Sequence, residues 1–320
     1  MAFTSSILIT GGTSGLGYET ALTLAKSQPT TQIIVAARNP RDTAETINAL
    51  TSNDPPNVVY LPLDLMTRAK TREFVKLYES NKFPPLRALI LNAGLQLVDK
   101  VIITSDGIEA MFAIDHVNQA LLFFLLRDQL TETARVILVG SSAHDPATKQ
   151  IPAVNYTTVE AAAHPPTDKK YEGRAEGMRR YGTSKLCNYL FAYSLARHVK
   201  ASNRQWRIIV LDPGVMPTRL YRWLPGPVET FWLWILPTFV GRAIIKNFIP
   251  TEVVAATLTR VAVADEYGTP DMNGRYIHGK DGKDTKSSVQ SYNVAFQEEL
   301  YDWTVKEIAI GNELEDFKRL

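Results

Sequence analysis

Apolar residues in this chain fall into short unbroken runs, separated by longer stretches in which they recur every third or fourth position. The runs at 6–10, 32–37, 58–62, 88–91, 135–139, 207–211 and 275–278 are mostly rich in Ile, Val and Leu and lack polar alternation. Strands buried on both faces read this way. Helical spacing appears near 16–27, 41–50, 68–80, 107–130, 180–200 and 252–264. Strands alternating with helices predict an α/β fold, a doubly wound parallel sheet of about seven strands with helices on both faces. Ligands of such sheets lie beyond the carboxyl ends of the strands, so the chemistry is sought there.

Composition narrows the field. The chain has 320 residues, 45% hydrophobic and 21% charged, enough for one large domain over 1–320 with a substantial core. Its net charge of +2 comes from 35 basic and 33 acidic residues with no long run of either sign, which gives no reason to expect a nucleic-acid partner. One cysteine, Cys187, precludes an intrachain disulfide, and no metal-ligand spacing occurs among one Cys and five His; no metal is expected. The opening "MAFTSSILIT" lacks a basic n-region and runs straight into a strand, so a cytoplasmic, reducing setting is expected.

Three stretches carry candidate chemistry. The first strand enters "TGGTSGLGYETALTLA", with Gly11, Gly15 and Gly17 opening the first helix. Glycines let the backbone approach a pyrophosphate, and free amides at the helix start point at its charge. The second strand ends "IIVAARNP". A site for NAD usually has an acidic residue about 20 positions past the glycine loop, to bind the ribose 2′-hydroxyl. Here Ala37, Arg38 and Asn39 follow instead, and Arg38 can fork onto a 2′-phosphate, so NADP(H) is the expected cofactor. In "RRYGTSKLCNYLF", Tyr181 and Lys185 share a helix face four positions apart. Any helix makes such neighbours, yet an ammonium beside a phenol also favours the phenolate and yields a usable proton donor.

With these stretches go "LDL" at 63–65, "NAG" at 92–94, Asn118, "SS" at 141–142, and "DPG" at 212–214 followed by Thr218. Together they resemble the short-chain dehydrogenase/reductase family over nearly the whole chain, and within it the retinol dehydrogenase, WW-domain oxidoreductase and protochlorophyllide reductase-like group. The resemblance implies a Rossmann-type fold and a catalytic set of Asn118, Ser142, Tyr181 and Lys185. Tyr181 would protonate the substrate oxygen, Ser142 would hold that oxygen, Lys185 would support both phenol and cofactor ribose, and Asn118 would position a water. Cofactor contacts would come from Gly11, Thr13, Ser14, Gly15, Leu16 and Gly17 in the first loop, from Arg38 and Asn39, and from Asp64 and Leu65 at the adenine. Asn92, Ala93 and Gly94 would line the cleft with Tyr181 and Lys185, and Pro213, Gly214, Val215 and Thr218 would lie at the nicotinamide end.

Two departures bear on the substrate. Ser142 and Tyr181 are 39 positions apart, much farther than is typical of the family, and the insert at about 143–178 either makes a surface excursion or walls the substrate pocket. After the sixth strand, an aromatic stretch containing Trp223, Phe231, Trp232, Trp234 and Phe239 falls within 217–249, where the family places a substrate lid. Its apolar core is too short to span a bilayer, which leaves a lid, a peripheral membrane contact, or a docking surface or ordinary core as readings. The expected activity is an NADPH-dependent carbonyl reductase or alcohol dehydrogenase, monomeric or homodimeric, acting on a bulky hydrophobic ketone, aldehyde or alcohol. The alternatives are a carbon-carbon double-bond reductase, for which Cys187 is the pointer, and a non-catalytic NADP-binding sensor or scaffold.

Overall fold

In a computed structural model of the protein, residues 3–39, 43–154, 156–216 and 248–320 are described. Seven strands form one parallel sheet: β1 (Ser5–Thr10), β2 (Thr31–Ala37), β3 (Val58–Pro62), β4 (Leu86–Leu91), β5 (Leu130–Val139), β6 (Arg207–Asp212) and β7 (Arg275–His278). Their order across the sheet is β3-β2-β1-β4-β5-β6-β7, with the order of winding reversing between β1 and β4. In doubly wound sheets the ligand crevice lies at that reversal, beyond the carboxyl ends of both strands.

The unbroken apolar runs are explained by two cores, one on each face. Leu8, Ile34, Leu89, Val136 and Ile208 face one layer of helices, while Ile7, Ile33, Ile90, Ile137 and Ile209 face the other. Since successive strand residues alternate faces, covering both makes the central residues of these strands mostly apolar. The first layer contains α4 (110–126, composite), α6 (Arg174–Ala201) and α8 (Val294–Ile308); the second contains α1 (Gly15–Ser27) and α7 (Thr251–Val263). Helices α2 (Thr43–Thr51) and α3 (Arg68–Ser80) complete the crossovers of the first half.

The helix expected over 107–130 is interrupted. α4 consists of α-helical Ala110–Phe112, a π-helical turn Ala113–Val117 and α-helical Asn118–Leu126, and β5 already begins at Leu130. A π-turn adds a residue to the helical circuit and is frequent at functional sites. Among the described residues three further helices were not anticipated: α5 (Val159–Ala163) inside the insert, α8, and α9 (Glu313–Phe317). For α8 the signal is present, because Leu300, Tyr301, Thr304, Val305 and Ile308 are its buried side, spaced three and four apart.

The insert packs onto α8. Val159 N and the Tyr156 hydroxyl both meet the Glu299 carboxylate at 3.3 Å, and Trp303 Nε1 donates to Glu160 Oε1 at 2.8 Å. Among the described residues no helix is long and apolar enough to cross a membrane.

Candidate active site

The glycine loop is built for close approach. Gly11 and Gly15 have φ of +68° and +55°, a region glycine enters without the penalty a side chain incurs. At Gly17 a Cβ would lie 2.7 Å from Asn92 Nδ2, so only glycine lets α1 start against the β4 loop. Thr10 joins the two loops: its Oγ1 accepts from the amides of Asn92 and Ala93, each at 2.9 Å, while Asn92 Nδ2 donates back to Thr10 O at 2.8 Å. Ser14, the N-cap of α1, makes no side-chain capping bond, and the first turn carries no acidic residue. Thr13 lies in this loop and Leu16 is buried beneath it. An uncapped, positively polarised helix start with bare glycine backbone around it fits the pyrophosphate of a nicotinamide dinucleotide.

The other expected cofactor positions ring the same edge. Arg38 and Asn39 are exposed just beyond β2. Asp64 follows β3, but its carboxylate is occupied within the chain: Oδ1 accepts from Met66 N at 3.0 Å and Oδ2 pairs with Lys70 Nζ at 2.6 Å. The neighbouring Leu65 is buried. Gly94 faces the interior of the cleft, where a Cβ would come within 3.0 Å of Lys185 Nζ. Pro213, Gly214 and Val215 follow β6, and Gly214 N donates to Asp212 Oδ1 at 2.9 Å. Thr218 and the aromatic stretch at 219–245 lie outside the described residues.

Helix α6 brings Tyr181 and Lys185 into this cleft, both buried, with Lys185 Nζ 5.7 Å from the Tyr181 ring centroid. Lys185 meets a partner the sequence reading missed: Asp115, in the π-turn of α4, places Oδ2 3.6 Å from Nζ. Asp115 is held by Leu95 N on Oδ1 at 2.8 Å and by the Ser184 hydroxyl on Oδ2 at 2.9 Å. Asn118, expected to position a water, lies in the α-helical part of the same composite helix: its Nδ2 donates to Leu65 O at 2.9 Å, and its buried Oδ1 has no hydrogen-bond partner among the described residues. The group against Lys185 is therefore a carboxylate, one helical turn earlier. Its signal in the sequence is an aspartate in a mostly apolar helix.

This corrects the expected electrostatics of Tyr181. Burial raises the phenol well above the ordinary tyrosine value, the Asp115 charge raises it further, hydrogen bonding with Ser141 pulls the other way, and Asp212 adds a smaller push upward. The lysine does not face the phenol as a lone cation. Burial also raises Asp115, opposed chiefly by Lys185.

Ser142 stands at the carboxyl end of β5, its amide donating to Asp212 Oδ1 at 3.0 Å and its hydroxyl to Gln150 Oε1 at 3.0 Å. It lines a cavity of about 310 Å³ with Asp145, Thr148 and Gln150 of the insert, and with Gly214, Tyr276, His278 and Lys286. The insert thus walls the cavity at Ser142. These walls are largely polar, and the stretch on which a hydrophobic substrate was expected lies outside the described residues. Cys187 is fully buried in the core beneath α6, where burial pushes its thiol up. Among the described residues no group of His, Cys, Asp or Glu is gathered to hold a metal ion.

Comparison with known proteins places these features in context. Residues 5–164 match the family model described as short chain dehydrogenase. Human polyprenol dehydrogenase is 31% identical over 304 residues, covering 92% of this chain and 82% of its own. The zebrafish (Danio rerio) WW domain-containing oxidoreductase is 30% identical over 264 residues, 81% of this chain and 58% of its own. A crystal structure of a short chain dehydrogenase from Burkholderia cenocepacia in complex with NADP superposes with a TM-score of 0.62 at 18% identity, covering 86% of this chain and 96% of that one.

Proposed function

Because the chain belongs to the short-chain dehydrogenase family of oxidoreductases, we propose that it is an NADP(H)-dependent enzyme interconverting a carbonyl and an alcohol on a bulky apolar or aromatic molecule. The observation that carries this reading is Tyr181, buried beside the Lys185–Asp115 pair at the edge of the cleft, with Ser142 at the neighbouring strand end on the adjoining cavity. The α1 N-terminus would hold the pyrophosphate. Arg38 would take the 2′-phosphate, supported by the lack of a carboxylate at 37–39. The cofactor supplies or accepts the hydride.

The chain's own work is to hold and move the proton. The Ser142 hydroxyl, released from Gln150, donates to the carbonyl oxygen and fixes its position. Tyr181 then donates its proton to that oxygen as the carbon is reduced, and takes it back in the reverse direction. A raised phenol suits the donor role, since Tyr181 stays protonated throughout the neutral range. The substrate's apolar character is inferred from the aromatic residues between 219 and 245, and an isoprenoid alcohol is one candidate by analogy with polyprenol dehydrogenase. The carbon-carbon reductase reading is disfavoured, as Cys187 sits in packed core.

The test is NADPH oxidation against a panel of aldehydes, and NADP⁺ reduction with geranylgeraniol and cinnamyl alcohol. Tyr181→Phe should abolish turnover while NADPH affinity stays within a few-fold. Retention of a tenth of the wild-type rate, or no turnover of any carbonyl or alcohol by the wild type, overturns the reading.

A further inference from the structure

We propose that Asp115 is a positioning residue that, through the Lys185 ammonium, sets how tightly Tyr181 holds its proton, so that the site remains a proton donor far into alkaline pH. The inference rests on the proposed oxidoreductase reading and goes beyond it.

The argument is one of charge in a buried place. With a neutral phenol, the ammonium of Lys185 and the carboxylate of Asp115, 3.6 Å apart, cancel. Ionising Tyr181 then adds a net negative charge to a site shielded from water. Had a neutral amide stood at 115, the ammonium would be uncompensated and the phenolate would neutralise it. The same lysine therefore makes a poor or a good phenolate stabiliser according to the residue at 115. Asp115 does not reach its place by chance of packing: an amide and a hydroxyl from two different elements fix its two oxygens. Gly94 keeps the backbone flat beside both ends of the pair, since a Cβ there would lie 3.0 Å from Lys185 Nζ and 3.4 Å from Asp115 Oδ1.

Of the other charged groups around the cluster, one acts in the same sense. Asp212, at the end of β6, adds negative potential at the phenol. Glu109, just before α4, faces Asp115 but is itself paired with Arg180 at 3.8 Å, and burial holds its carboxyl up at about 7. Lys185 is the one cation that pairs with Asp115 among the described residues. The consequence is directional. In reduction the Tyr181 O–H bond breaks as the substrate O–H forms and NADPH gives up its hydride, a step that needs the protonated phenol. In alcohol oxidation the phenolate must take the proton, and Asp115 delays its appearance to higher pH.

The experiment is the pH profile of kcat/KM for cinnamyl alcohol oxidation with NADP⁺ and for cinnamaldehyde reduction with NADPH, in wild type and Asp115→Asn. Asparagine keeps the shape and the bond from Leu95 N but removes the charge. The oxidation profile should move down by about one pH unit or more, with reduction falling off correspondingly earlier. A merely structural role lowers both rates without moving either profile, and that result, or an upward shift, overturns the proposal. If Asp115→Asn does not fold, the wild-type oxidation profile decides: the proposal requires a rate still rising at pH 9, and a plateau reached below pH 8 overturns it. Active Tyr181→Phe would instead show that the tyrosine assignment itself is wrong, an outcome separate from an unmoved Asp115→Asn profile.

Discussion

Ile151 Cδ1 stands 2.5 Å from the point where a Cβ on Gly182 would lie, so the insert is pressed onto α6 at the residue after Tyr181. Val154 Cγ2 and Ala143 O close the same space from either side. Gly182→Ala should therefore push the insert away from the helix, carrying Gln150 off Ser142. We expect a loss of about 1 to 3 kcal/mol in stability, as for overpacking elsewhere, and a larger fall in kcat/KM than in NADPH affinity. Val154→Ala in the same chain should recover part of both, and thermal melts with a double-mutant cycle would show it. Strict additivity of the two changes would refute the contact.

A second expectation concerns cofactor choice at the end of β2. Ala37→Asp combined with Arg38→Leu should turn preference from NADP toward NAD by about 2 to 3 kcal/mol, the scale of a lost charge-assisted phosphate contact plus a repulsive carboxylate. The ratio of kcat/KM for the two cofactors measures it. An unchanged ratio would place the phosphate on other residues, such as Thr13 and Ser14.

Acid should weaken the fold through His116. This histidine is buried, its Nε2 bonded to Thr304 Oγ1 at 2.9 Å, and burial lowers its pKa to about 3. A folded value below the unfolded ~6.5 means the unfolded chain binds the proton more readily. Stability from this group is full above pH 6.5 and is lost as pH falls from there toward 3. Between pH 6.5 and 4.5 the loss should reach about 2 to 3 kcal/mol. Urea midpoints of wild type and His116→Asn should converge as pH falls; equal slopes in both would exclude His116 as the cause.

Near the end of the chain, Phe317 stacks on Phe124 with ring centroids 4.8 Å apart, and Arg127 lies over the Phe317 ring while pairing with Asp316 at 2.5 Å. Phe317→Ala should cost about 3 kcal/mol in denaturant unfolding. The same change should leave NADPH affinity alone, because Phe317 belongs to one core of the sheet and Leu16, at the glycine loop, to the other. A silent substitution would mean that α9 is not docked.

Much of the fold was legible because most strand centres are buried on both faces and so read as apolar runs, from Ile7–Ile9 to Ile208–Leu211. The glycine loop and the Tyr181–Lys185 pair were legible because their spacing is local. Asp115 was not, since its partner Lys185 lies 70 positions away in sequence and nothing local tells a buried ion-pair carboxylate from a misplaced surface one. The π-turn at Ala113–Val117 that holds Asp115 was hidden for a related reason, since counting along a regular α-helix cannot reveal it. The early start of β5 at Leu130 was hidden likewise, behind polar Thr131, Glu132 and Thr133 at its exposed end.

That π-turn gives α4 two phases. The residues after it, Leu121 and Phe124 among them, are registered to the sheet core, whereas Asp115 inside it is registered to α6. Each residue advances a helix by about 100°, so excising any one position between Ala113 and Val117 would force the halves into a single phase. With the downstream half anchored by its core contacts, the upstream half would turn away and take the carboxylate with it. Chain length is thus as tightly constrained in this stretch of helix as residue identity, although length changes are ordinarily tolerated or rejected at loops.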